Sequence, residues 1–255
     1  MKKIIPLFLL LFLLTGSFLD GKPPRKYRLV WADEFDGTRL DTTVWIFETG
    51  GNGWGNHEKQ FYTTSGNVVV KNGCLFIVAK KEGDTYTSAR IITRGKRSFV
   101  HGYVEIRAKL PRGIGTWPAL WLLGESMSAV GWPECGELDV MEHVGKHPGY
   151  IHSSVHNQSG YGNTPYTGHR LVKDPFETFH LYAVDWTKNQ LTFSVDGKRV
   201  HRYAPIRKTP NNWPFDQPMY VIFNLAIGGD WGGPDIDDAI FPQSMCVDYI
   251  RVYQK

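Results

Sequence analysis

Short apolar runs, many of them alternating with polar residues, recur along most of the chain with turn signals between them. Val104, Ile106, Ala108 and Leu110 alternate with Tyr103, Glu105, Arg107 and Lys109, and Val247, Tyr249, Arg251 and Tyr253 alternate with Asp248, Ile250 and Val252. A period of two is the signature of a strand with distinct faces. Residues 68–70 and 75–79 flank Asn72-Gly73, and residues 191–195 and 198–200 flank Asp196-Gly197. Both dipeptides favour tight hairpins. No long helical period competes, so the pattern predicts an all-β fold, a sandwich of two packed antiparallel sheets.

One stretch departs from simple alternation. Gly136-Glu137-Leu138-Asp139-Val140-Met141-Glu142-His143 places three carboxylates in an otherwise apolar run. In a regular strand Glu137 and Asp139 share a face while Glu142 points the other way. One extra residue at Val140-Met141, a β-bulge, restores the phase and aims all three acids at one side. Two carboxylates flanking a sugar–sugar bond are the working parts of a glycosidase, and a spacing of about 5 Å gives retention of configuration. Like charges this close push their pKa values apart, so one acid stays protonated as proton donor. On spacing alone, either glutamate can be the nucleophile. Trp117, Trp121 and Trp132 precede the acids, and such indoles offer flat faces on which sugar rings stack.

With Trp117-Pro118-Ala119-Leu120-Trp121 upstream, the acid stretch resembles glycoside hydrolase family 16, and within it the laminarinases. The resemblance runs from Trp31-Ala32-Asp33-Glu34-Phe35-Asp36, through Tyr86-Thr87-Ser88-Ala89-Arg90-Ile91, to Asn224-Leu225-Ala226-Ile227-Gly228-Gly229 and Asp248-Tyr249-Ile250-Arg251-Val252-Tyr253. It implies a β-jelly roll with a sugar cleft across its concave sheet. It implies Glu137 as nucleophile, Glu142 as general acid and then base, and Asp139 as the assistant that hydrogen-bonds the nucleophile. Sugar contacts are expected from Asn56, Arg90, Trp117, Trp121, Trp132, His156, Asn224 and Trp231. His156 has a structural alternative, and Arg90 has one as a buried ion-pair partner. The chemistry needs no cofactor. The family also implies a structural calcium, with Glu34, Gly73 and Asp248 aligned to its oxygen ligands. The expected activity is endo-hydrolysis of β-1,3 bonds in laminarin-like glucans, mixed-linkage glucans included. The alternatives are a non-catalytic β-glucan-binding protein and a transglycosylase of the same fold.

The remaining features bear on setting. Met1-Lys2-Lys3, the apolar run 4–14 and the small residues Thr15, Gly16 and Ser17 read as a secretory signal peptide over 1–20, too short for a spanning helix. Residues 21–26 form a short linker, and 27–255 a single catalytic domain. The expected location is periplasmic or extracellular, with no membrane span after signal removal. Cys74, Cys135 and Cys246 are odd in number and lack metal-ligand spacing, so they read as small buried apolar residues. The net charge of +4 is modest and carries no basic run suited to nucleic acid. The expected partner is an uncharged β-glucan, bound by a monomer.

Overall fold

The computed structural model describes residues 26–255. The segment read as a signal peptide, and the linker up to Arg25, lie outside the described residues.

Two sheets carry the fold. The first has eight strands and runs in the order Thr167–Leu171, Tyr150–His156, Glu137–Glu142, Thr116–Gly124, Met219–Ile227, Arg90–Ile92 and Ile46–Glu48, with Ser98–Phe99 also paired to Met219–Ile227. The second has ten. Its path runs Lys198–Tyr203, Leu191–Val195, His180–Trp186, Gly102–Lys109, Gln243–Gln254, Cys74–Glu82, Thr85–Ser88 and Gln60–Tyr62. Arg28–Asp33 joins it on Gln243–Gln254, and Val68–Lys71 on Cys74–Glu82. Every pairing among these is antiparallel except Gln60–Tyr62 with Thr85–Ser88. The all-β sandwich expected from the pattern is therefore the fold observed. Leu120, Leu122, Leu138 and Phe223 from the first sheet meet Val104, Ile106, Val184 and Ile250 from the second in one fully buried core. This burial is the main force holding the sheets face to face.

Both hairpin dipeptides behave as expected. Asn72 and Gly73 have φ of 54° and 69°, and Asp196 and Gly197 have 49° and 70°. Positive φ at both central positions gives the turn twist that matches the flanking strands. Helical structure among the described residues is limited to short turns such as Met127–Val130 and Gly229–Gly232.

Two local readings need correction. The strand Gln243–Gln254 does not alternate without a break: the register shifts between Val247 and Tyr249 against Gly102–Lys109, making Asp248 the extra residue of a bulge. Val247 consequently faces the core with Ile250 and Val252, whereas Tyr249, Arg251 and Tyr253 stay partly exposed. Cys135 and Cys246 are buried, but Cys74 is only half-buried, because it opens its strand beside the hairpin turn.

Candidate active site

The acids sit on the strand Glu137–Glu142, in the middle of the first sheet. Its pairing with Tyr150–His156 matches Glu137 to His156, Asp139 to Ser154 and Glu142 to His152. Between the last two matches, three steps on the acid strand span two on its partner. Against Thr116–Gly124, Met141 pairs with Leu120 and Asp139 with Trp121, which leaves Val140 unmatched. This is the bulge anticipated from the spacing. Val140 and Met141 both enter the core at zero exposure, so Glu142 returns to the face that carries Glu137 and Asp139.

Register extends that face across the sheet. One cross-strand row reads Glu48, Arg90, Asn224, Ala119, Glu142, His152 and His169. The neighbouring row reads Ile46, Ile92, Ile222, Trp121, Asp139, Ser154 and Thr167. Same-face neighbours in adjacent strands lie within contact distance. Residues far apart in sequence therefore converge on the acids, with the small side chain of Ala119 between Asn224 and Glu142.

Each outer acid is held by an indole. Trp132 Nε1 donates to Glu137 Oε2 at 2.9 Å, and Trp117 Nε1 donates to Glu142 Oε1 at 3.0 Å. His156 Nε2 lies 3.1 Å from Asp139 Oδ2 and 3.7 Å from Glu137 Oε1. The Asp139 contact falls outside hydrogen-bond geometry, and the Asp139 carboxyl is instead hydrogen-bonded to that of Glu137, as expected of the assistant acid. Burial, the largest cause, pushes all three carboxyls up to about 8. Asp139 raises Glu137 and Glu142 further, while His156 and the indoles oppose the rise. Three acids this close titrate as a unit and cannot all carry charge together. The cluster thus retains protons near neutral pH, which supplies the proton-bearing carboxyl that acid-assisted displacement at a sugar carbon requires.

The other expected contacts divide between the cleft and its supports. Trp132 is 41 % exposed and packs edge-on against Tyr161, so its ring remains open to a ligand. Trp121 donates to Asn224 Oδ1 at 2.7 Å, and Asn224 in turn donates to the Tyr62 hydroxyl. Arg90 pairs with Glu48 and lies 4.9 Å from both the Trp54 and Trp121 rings. The ion-pair alternative for Arg90 is therefore realised, on the cleft face. Asn56 is exposed and donates to Glu58 Oε1. Trp231 stacks edge-on against Trp117 and His152. Its turn is fastened where Asp230 N donates to Asn56 O at 2.7 Å. Gly229 makes this approach feasible: its φ is 86°, and a Cβ there would stand 2.7 Å from Asn56 O.

Several members of the site escaped sequence reasoning. Glu58 accepts from Asn56, Gln60 and Tyr62, and burial raises its pKa. Trp54, Tyr62, Tyr161 and His152 also join the network. Of these, only Glu58 gave a usable signal, a carboxylate in the same Gly55-Asn56-His57-Glu58 run that held Asn56.

Glu34, Gly73 and Asp248 belong to the opposite sheet and its hairpin. One Asp248 oxygen accepts from Arg107, and the other faces the Cys74 thiol at 3.9 Å. The Glu34 carboxylate takes a two-point contact from Arg251, so Glu34 would serve calcium through its backbone. Gly73 lies beside Asp36 Oδ1, which adds a second carboxylate oxygen nearby. This oxygen-rich set suits calcium chemically, although Arg107 competes for Asp248. Among the described residues, the one group of three or more His, Cys, Asp or Glu side chains whose donor atoms converge, within 4.8 Å, is Glu137, Asp139 and His156. Those are two of the three acids and the histidine beside them.

The family model for glycosyl hydrolases family 16 matches residues 55–241. A β-glucanase from Rhodothermus marinus is 42% identical, over 94% of this chain and 90% of its own. The crystal structure of a laminarinase from Flavobacterium sp. UMI-01 is 51% identical with a TM-score of 0.87, covering 89% of this chain and 100% of its own. A mutant of SCLam, a non-specific endo-β-1,3(4)-glucanase with an oligosaccharide at its active site, aligns with a TM-score of 0.88 at 40% identity, over 92% of this chain and 97% of its own.

Proposed function

The chain belongs to glycoside hydrolase family 16, and from that premise we propose that it is a retaining endo-β-glucanase, cleaving internal β-1,3 bonds of laminarin-like glucans. That it hydrolyses β-glucans is supported by relatives with β-glucanase and laminarinase activity in their names. The observation that carries the mechanism is the bulge, which aims Glu137 and Glu142 at one space on the sheet face.

In this reading Glu137 attacks the anomeric carbon while Glu142 protonates the departing oxygen, giving a covalent glycosyl-enzyme. Glu142 then removes a proton from the water that releases the sugar, so two inversions give net retention. Asp139 and His156 flank the Glu137 carboxylate, whose charge is present before attack and returns when the glycosyl-enzyme is hydrolysed. Open indole faces, and an Arg90 already neutralised by Glu48, favour an uncharged glucan, mixed linkages included. Nothing in this sequence of steps requires a cofactor.

Incubation with laminarin tests the reading. The wild type should release reducing ends whose first-formed anomer is β, and Glu137→Gln should lose several orders of magnitude in rate while still binding glucan. Binding without hydrolysis by the wild type would favour the glucan-binding alternative instead.

The setting is likewise proposed. The run 4–14 supports export through a signal peptide, to be checked by the N-terminus of protein recovered outside the cytoplasm. Among the described residues no helix is long and apolar enough to cross a membrane. We propose a monomer, which sedimentation would test. A calcium held by the backbone of Glu34 and Gly73 and the side chain of Asp248 would brace the sheet opposite the acids. Chelation should then lower the melting temperature of wild type much more than that of Asp248→Asn. An equal response would dismiss the site.

A further inference from the structure

Glu58 faces two spaces. On one side it joins Asn56 and, through Tyr62 and Asn224, the Trp121 floor of the cleft. On the other it helps to wall an open groove of about 420 Å³, together with Gly51, Asn52, Phe61, Asp84 and Tyr86. That volume falls within the range of ligand-binding clefts.

The strand Gln60–Tyr62 explains the groove's aromatic wall. Gln60 and Tyr62 are buried, Gln60 accepting from Ile227 N and Tyr62 bonded to Glu58 and Asn224. Alternation then sends Phe61 to the other side, where it is 53 % exposed. Gly51 leaves room beside its ring, since a Cβ there would stand 3.4 Å from Phe61 Cδ2. Tyr86 lines the groove from the neighbouring strand and is held by its hydroxyl bond to Asp238 and by Lys81, 5.0 Å from the ring centre. Asn52, Lys59 and Asp84 are exposed at this groove, the last two of opposite charge. A free aromatic face next to an amide and a carboxylate matches a neutral sugar ring, which has apolar C–H faces and a hydroxyl edge.

We propose, resting on the glucanase reading, that this groove is a distal subsite for the same glucan chain, with Phe61 as its stacking platform. A polymer lying across the acids continues past Glu58 into the groove, whereas a short oligosaccharide held at the acids does not reach it. Continuity through Glu58 selects the substrate itself as occupant.

Steady-state kinetics of Phe61→Ala on laminarin and on a β-1,3-linked glucotetraose tests this, with Phe61→Trp as rescue and melting temperature as the folding control. The expected result is a KM for laminarin raised about three- to tenfold at unchanged kcat, no change on the tetraose, and recovery in Phe61→Trp. Unchanged kinetics on laminarin, or equal losses on both substrates, would overturn the subsite while leaving the glucanase reading intact. A wild type that cleaves neither substrate would overturn both.

Discussion

Glu137 and Glu142 meet nearly the same burial but different partners. Glu137 has Trp132, Asp139 and His156 around it, while Glu142 has Trp117 as its one hydrogen-bond donor. The Trp117 indole lowers the Glu142 pKa by stabilising its ionised form. Trp117→Phe should therefore move the alkaline limb of the kcat/KM profile to higher pH and reduce the maximum rate, as read from a pH–rate series. A profile that keeps its alkaline limb would show that another group sets it. Stability supplies a second check. The folded-state pKa of Glu137 is raised to about 8 from an ordinary 4.5. Below about pH 4.5 the group is protonated in both states, and as pH rises toward 8 the unfolded chain gives up its proton first. The stabilisation is thus complete at low pH and lost on the alkaline side. Glu137→Gln, always neutral, should melt higher than wild type at pH 8 by about 2–4 °C or more, and nearly equally at pH 4. Equal melting at both values would contradict the buried, proton-holding state. The acids were legible in the sequence because carboxylates in an apolar run demand a reason. Trp54 and Tyr161 were not, since each matters only through partners that the fold brings to it.

For the acid strand, the anomaly in spacing was itself the information. A step of five from Glu137 to Glu142 breaks the period of two, and one bulge repairs it. The bulge at Asp248 gave no comparable signal, because Val247, Ile250 and Val252 mix with Tyr249 and Tyr253 and leave both phases equally apolar. Deleting Met141 distinguishes a bulge from a regular strand. Removing the extra residue leaves Glu137, Asp139 and the displaced glutamate on one face and keeps the later pairing in register. The variant should fold, with a lower melting temperature because Met141 occupies the core at zero exposure. Circular dichroism showing an unfolded chain would contradict the bulge.

Across the whole molecule, the pattern sufficed for two antiparallel sheets but not for their order. The strand Met219–Ile227 enters beside Thr116–Gly124 after more than ninety intervening residues, and only that insertion brings Asn224 next to Ala119 and Arg90. Hydrophobic periodicity says which face of a strand is buried and is silent on its neighbour. Alternation likewise did not reveal that Gln60–Tyr62 would turn Phe61 outward beside the cleft. The central claim is that this assembly sets Glu137 against one face of the anomeric carbon, with Glu142 on the leaving-group side. It is tested most directly by azide rescue of Glu137→Ala, acting on a β-1,3-glucosyl donor with a good leaving group. With the carboxylate gone, azide occupies its place and attacks the face opposite the leaving group. The product should be the α-glycosyl azide, identified by the anomeric coupling in its proton NMR spectrum. A β-glycosyl azide from Glu137→Ala would mean that another residue forms the covalent intermediate, and would contradict the assignment.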